Sequence, residues 1–399
     1  MISRKYGRPS WVQTVCMCLI AAMLGALVAV YLLKDDTRPV EPGAYPKLDE
    51  IRALLDAYYV GSYTDQELMD MLSAGAMAGI NDKWAYYTPA EDLQTLTENS
   101  SGRYTGIGVA VSLDTETGML RVLEVYENSP AAEVGIRPMD LLYKVNGEYV
   151  AELGQDMTVS KVRGEEGTTV ELSVLRNGVE IKLTVERRNV VKTSVYAEII
   201  DGNIGYLRIT DFTEVAAADF VGKLSSLYGA GVEGVIFDLR NNPGGRLSTL
   251  LTMLDEICPE GDLFIEEDNQ GNRRVIKTVD NKYYKGNFAV LVNAYSYSAA
   301  EYFGAVLQEK GIATVVGERT TGKGEAQSTF VLSDGSAVTF SVLKYFTPAG
   351  VRISEKGGIL PDIEIEMDQE LAALIGKVDK TRDTQLAAAI DAVKKMIGQ

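Results

Sequence analysis

Three short stretches combine residue types that can do chemistry. The first, 317–324, reads GERTTGKG and sets Lys323 between glycines. Its Gly, four residues, Gly-Lys spacing is most of a phosphate-binding loop, and it follows the apolar, β-rich run 312–316. Such a loop needs Ser or Thr after the lysine to hold Mg²⁺, and a helix whose N-terminus faces the phosphates. Here Gly324 follows the lysine, and 329–332 and 337–340 alternate like strands, so both requirements fail. The second stretch, 293–301, reads NAYSYSAAE. A buried strand runs out, the chain turns, and a helix starts at Ser298. A hydroxyl there meets backbone N–H groups and the positive end of the helix dipole, which suits a nucleophile whose reaction creates an oxyanion. Ser298 with Glu301 three residues on is equally a capping box. The third stretch, 238–245, reads DLRNNPGG, and also lies between a buried strand and a helix. Pro-Gly-Gly leaves an open backbone whose N–H groups suit half of an oxyanion hole, or simply make a strand-to-helix turn.

The chain contains no histidine. That removes Ser-His-Asp and Cys-His catalysis, His-ligated metals and His proton shuttles. Acid–base work must fall to Asp, Glu, Lys, Tyr or Cys. Three cysteines, Cys16, Cys18 and Cys258, give neither a disulfide framework nor zinc spacing, and Cys258 reads as a small core residue. A formal charge of −17 repels a phosphate backbone, so nucleic acid is not an expected partner.

The elements that must position these stretches form an α/β pattern in a chain of 399 residues, long enough for two or three domains. From 194 to 362 strands (204–209, 235–239, 288–292, 313–316) alternate with helices (215–227, 247–257, 298–309), an α/β core with strand-rich insertions. A last helix covers about 381–397. From 103 to 188 the pattern changes to short strands and turns, including Asn146-Gly147 and Asn177-Gly178. From 47 to about 96 the apolar spacing is helical, suited to packing or dimerisation. Residues 35–46 are a polar, proline-containing linker. Arg4, Lys5 and Arg8 precede the uncharged run 9–33. Roughly 20 apolar residues span a bilayer. The basic flank places the remainder outside the cytoplasm. An uncleaved single-pass anchor is expected, with a cleaved signal peptide as the alternative.

Residues 101–188 resemble a circularly permuted PDZ domain of the bacterial kind. The matching pieces are Tyr104-Thr105-Gly106-Ile107-Gly108, Ser129-Pro130-Ala131, Gly135 to Asp140 and Val145-Asn146-Gly147. Backbone N–H groups of the 104–108 loop would take a peptide's terminal carboxylate and the next strand edge its backbone. The glycines alone would also fit a plain turn. Together with the three loops, nearly the whole chain after the anchor resembles the carboxy-terminal processing, or tail-specific, peptidases. The resemblance implies a ClpP/crotonase-like protease core (189–375), an inserted PDZ domain and a terminal helix (376–399). It implies Ser298 as nucleophile, Lys323 as base, Gln327 as the residue orienting the lysine, and the Gly244 and Ala299 N–H groups as oxyanion donors. It places Arg163 near a conformation-sensing arginine of some members. It implies protein substrates with a free C-terminus, no cofactor or metal, and a possible homodimer. Two stretches depart from the family pattern. Tyr297 stands beside the nucleophile, and Asp82-Lys83-Trp84-Ala85 replaces Asp-Pro-Tyr-Ser. The competing functions are a catalytically dead, membrane-tethered PDZ scaffold and a crotonase-like acyl-CoA enzyme.

Overall fold

The computed structural model describes residues 45–367, 375 and 382–399. The expected anchor at 9–33 lies outside them, and no described helix is long and apolar enough to cross a membrane. Residues up to 67 and those from 68 onward form two units. The first holds helix α1 (Pro46–Tyr58), whose Leu48, Ile51, Leu54 and Tyr58 are exposed. Helix α2 (Asp65–Gly79) begins in the first and continues into the second.

The helical periodicity expected over 47–96 breaks after Gly79. Asn81 takes a left-handed φ of 57°. The Asp82 carboxylate accepts the Trp84 N–H at 3.0 Å and the distant Ser341 N–H at 2.8 Å. That anchor pulls the chain into strand β1 (Tyr86–Thr88) before helix α3 (Leu93–Ser101) begins. A polar side chain bonded to a remote strand overrides the local apolar spacing, and no periodicity test registers it.

Strand β2 (Arg103–Gly106) leads into a small sheet domain. Its strands are β3 (Val109–Leu113), β4 (Leu120–Val125), β5 (Leu141–Val145), β6 (Glu148–Tyr149), β7 (Thr169–Arg176) and β8 (Val179–Glu186). Helices α4 (Pro130–Glu133) and α5 (Val150–Val162) cover them. The order β3-β4-β5-β7-β8 leaves β3 at an edge. The Asn-Gly pairs form the expected tight turns, with φ of 48° and 86° at 146–147 and 51° and 78° at 177–178. Strand β9 (Arg188–Val191) pairs antiparallel with β2 where the chain leaves the domain.

The core sheet has the order β10 (Val195–Ile200), β11 (Ile204–Ile209), β12 (Gly234–Asp238), β15 (Asn287–Val292), β16 (Ala313–Gly317) and β19 (Ile363–Glu364), parallel from β11 onward. Helices α6 (Ala216–Gly229), α7 (Leu247–Asp255) and α8 (Ala299–Glu309) pack on one face with Phe220, Phe237 and Phe303. Helix α9 (Thr384–Ile397) packs Leu386, Ala389 and Val393 on the other. Cover on both faces explains why β12 is buried throughout and reads as a continuous apolar run. A second, antiparallel sheet contains β1, β13 (Asp262–Glu267), β14 (Arg273–Lys277), β17 (Glu325–Val331) and β18 (Ala337–Phe346). Cys258 is buried in the core as expected, and burial pushes its thiol up to about 12.

Candidate active site

Strand β15 delivers the chain to Asn293, and Asn293, Ser296 and Tyr297 are tied to the loop after β12. The Asn293 side chain accepts the Asn241 N–H at 3.0 Å and donates to the Asn241 side-chain oxygen at 2.8 Å. Ser296 Oγ donates to the Leu239 carbonyl at 2.8 Å, and the Tyr297 N–H to the Asn242 carbonyl at 3.1 Å. Ser298 then caps α8 at φ 58° and ψ −122°. A non-glycine residue held there is strained and persists only when its surroundings over-determine it. The stitched loops supply that constraint and present a half-buried hydroxyl.

Gly244 sits against this turn with φ 91°. A Cβ there would lie 2.8 Å from the Ala299 nitrogen, the Ser298 Cβ and the Tyr297 carbonyl oxygen. Only glycine allows that approach, which brings the two nominated backbone donors together. The Gly244 N–H is engaged, donating to Asn242 Oδ1 at 2.7 Å. An oxyanion at this place must displace or share that bond.

Lys323 arrives from the loop between β16 and β17. A strand follows it rather than a helix, as the failed phosphate-loop match requires. The residue is 8% exposed. Its Nζ donates to Gln327 Oε1 at 2.6 Å, and the Gln327 amide donates in turn to the Trp84 carbonyl. Ser298 and Lys323 line one cavity of about 540 Å³ together with Gly244, Ala299 and Gln327, with no direct hydrogen bond between them. Phe212, Leu250, Phe264 and Tyr345 make much of the remaining wall apolar. Burial holds the lysine below its ordinary value; Asp82, Glu325 and Glu301 oppose the shift and Lys83 adds to it.

Four features of this site exceed the sequence-based expectation. Glu301, expected as a cap, accepts the Ser298 N–H at 3.0 Å, the Thr320 hydroxyl at 2.5 Å, and the Gly322 and Lys323 N–H groups at 2.6 and 2.9 Å. It therefore ties the serine turn to the lysine loop. Tyr345 donates its hydroxyl to the Lys323 carbonyl. Asn242 holds the Gly244 N–H. Trp84 and Tyr297, the two departures from the family pattern, stack on each other. The spacing of Ser298 and Glu301 was a signal for the first; nothing local marks the others.

A second cavity, of about 240 Å³, opens between the edge strand β3 and α5. Tyr104, Gly106, Ile107 and Gly108 line it, whereas Thr105 lines a separate, shallow surface depression. Gly108 has φ 85°, and a Cβ there would lie 2.2 Å from the Ser129 Cβ. Burial pushes the Tyr104 phenol up to about 12. Arg163, at the end of α5, lines the same cavity, donates to Glu98 Oε2 at 2.9 Å and lies 5.5 Å from the Tyr104 ring centroid. Helix α3 carries Glu98 into this groove and Ser100 into the serine cavity, while Asn99 lines both.

The family model described as peptidase family S41 matches residues 203–365, and a PDZ domain model matches 105–186. A carboxy-terminal processing protease of Bacillus subtilis, CtpA, is 32% identical over 371 residues, covering 91% of this chain and 79% of its own. A carboxyl-terminal-processing protease of Synechocystis is 31% identical over 321 residues, covering 79% of this chain and 74% of its own. A solved structure assigned to the S41 proteases, from Bacteroides fragilis, shares the fold with a TM-score of 0.54 at 18% identity, over 90% of this chain and 99% of its own.

Proposed function

The chain belongs to peptidase family S41 and is a carboxy-terminal processing serine protease; from that premise we propose that Ser298 is its nucleophile and Lys323 its general base. The observation that carries this is the strained Ser298 turn and the buried Lys323 meeting in one cavity. Burial raises the neutral fraction of Lys323, and a neutral amine accepts the Ser298 proton as Oγ attacks the scissile carbonyl. The oxyanion takes the Ala299 N–H and the Gly244 N–H, the latter released from Asn242, at about 3 kcal/mol for one donor. Lys323 returns its proton to the leaving amine. Water then attacks the acyl-enzyme, and Lys323 serves as base again. Gln327, whose amide is oriented by the Trp84 carbonyl, keeps the lysine in place.

The groove at β3 and α5 binds the free C-terminus of a protein substrate. Its backbone extends the β3 edge and its carboxylate meets the 106–108 N–H groups. Arg163, joined to Glu98 of α3, couples that groove to the serine cavity and gates cleavage. Supporting this is the course of α3, whose residues line both cavities. The basic N-terminal residues and the uncharged run 9–33 support a single-pass anchor with the catalytic core outside the cytoplasm. The exposed apolar positions of α1 support a homodimer.

The test uses the full-length protein, Ser298→Ala and Lys323→Ala with an unfolded protein substrate, and the same substrate with an amidated C-terminus. Cleavage by the parent alone, slowed by amidation, is the expected result. Cleavage surviving in Ser298→Ala overturns the nucleophile assignment. Equal inactivity of all three, with the substrate still bound, favours a scaffold.

A further inference from the structure

Trp84 and Tyr297 stand far apart in sequence, each in a stretch that departs from the family pattern. In the fold their rings stack, with centroids 6.0 Å apart and planes 19° from parallel. The same indole lies 4.5 Å from the Lys323 Nζ, measured to the ring centroid. The Trp84 carbonyl accepts from the Gln327 amide, which turns Gln327 Oε1 towards that Nζ. Asp82 fixes the segment through the Trp84 and Ser341 N–H groups. The Trp84 Nε1–H is buried without a hydrogen-bond partner among the described residues. The indole therefore contributes its face here, not its donor.

We propose that Trp84 is a positioning residue for the serine–lysine pair, its ring face holding the Lys323 ammonium beside Gln327 and so setting the pH at which the base becomes available. This rests on Lys323 being the base. An aromatic face attracts an ammonium and not a neutral amine, so it stabilises the protonated, resting form. The charged neighbours of Lys323 are Asp82, Glu301 and Glu325, which also favour the ammonium, and Lys83, which opposes it. Lys83 Nζ itself lies 4.4 Å from the same ring centroid. Tyr345 is held neutral by burial, and Gln327 and Ser298 carry no charge. The ring thus offsets part of the burial that favours the neutral amine, and the balance fixes the acid limb of activity.

The experiment is the pH profile of kcat/KM for peptide cleavage by the full chain, Trp84→Leu and Trp84→Phe, with Lys323→Ala alongside. Leucine keeps an apolar cover and removes the π face, so the acid limb is expected to move down by about one pH unit. Phenylalanine keeps a face, and its limb is expected near that of the parent. An unmoved limb in Trp84→Leu overturns the proposal. So does an upward shift, since that is the effect of readmitting water to the ammonium. The chain has only two tryptophans, Trp11 and Trp84. Biosynthetic replacement by fluorinated tryptophans weakens the ring quadrupole at constant shape and gives the same readout should the leucine variant not fold. A graded downward shift with fluorination supports the proposal, and none overturns it. Activity remaining in Lys323→Ala defeats the base assignment itself. An inactive Lys323→Ala with an unmoved Trp84→Leu limb defeats only the role of the ring.

Discussion

Lys323 carries a conflict that the catalytic reading turns to use. A cation only 8% exposed is placed where its charged form is disfavoured. Its folded pKa lies below its unfolded one, so between the two the unfolded chain binds more protons and stability rises with pH. The penalty is fully present below the folded pKa and vanishes above the unfolded one. Replacing the lysine by an apolar residue of similar length removes it. Lys323→Met is therefore expected to be inactive and to melt above the parent at neutral pH. The margin should shrink as the pH approaches about 10.4, the ordinary lysine value. Melting curves from neutral to alkaline pH check this, and a gain constant with pH would assign the effect to packing instead. Trading stability for function at one residue is common in active sites.

At the scale of elements, the site is two strand ends held in register by one side chain. Helix α8 begins with Ser298, and its Glu301 reaches both back to that turn and across to the loop before β17. Burial pushes the Glu301 carboxyl above the usual carboxylate range, and the donors converging on it oppose that shift. Glu301→Gln keeps the shape but sets an NH₂ group against donors. Leaving such donors unsatisfied costs about 1–3 kcal/mol. The expected outcome is a loss of roughly 2 kcal/mol in urea unfolding and a fall in kcat of at least about tenfold, with KM little changed. An unaltered kcat would show that the lysine loop is held by other contacts. The capping-box pattern was visible in the sequence. That the same carboxylate also binds Thr320, Gly322 and Lys323 was not, because those partners arrive from a strand crossover rather than along the helix.

At the scale of the molecule, the loop after β12 and the C-terminal helix are fastened by a buried ionic cluster. Arg240 has no exposed side-chain surface. It donates to Asp238 at 2.6 and 3.0 Å, to Asp383 at 2.8 and 2.9 Å, and to Gln385 at 3.1 Å. Tyr206 donates its hydroxyl to Asp238 at 2.6 Å. Asp383 also caps α9 by accepting the Leu386 N–H. Arg240→Met leaves two buried carboxylates without their counter-ion, at a cost of about 3–5 kcal/mol. Urea unfolding of the variant is expected to show that loss, together with reduced activity, because the same loop carries Asn242 and Gly244. A variant as stable as the parent would mean that the carboxylates find other donors.

The sequence by itself determined the chemistry available and the elements that carry it. The absence of histidine, the glycine-flanked lysine and a serine at a strand-to-helix junction are local facts. So are the apolar strands and the Asn-Gly turns, since each depends on residues within a few positions. Cys258 was legible as core for the same reason. The tertiary structure alone decided how the separate loops meet. It put Trp84 and Tyr297 on one ring stack, turned Gln327 through the Trp84 carbonyl, and gave the Gly244 N–H to Asn242. It interrupted the N-terminal helical pattern with β1, and led α3 past both cavities. These depend on contacts between segments remote in sequence, where register and close approach, not local propensity, set the partners.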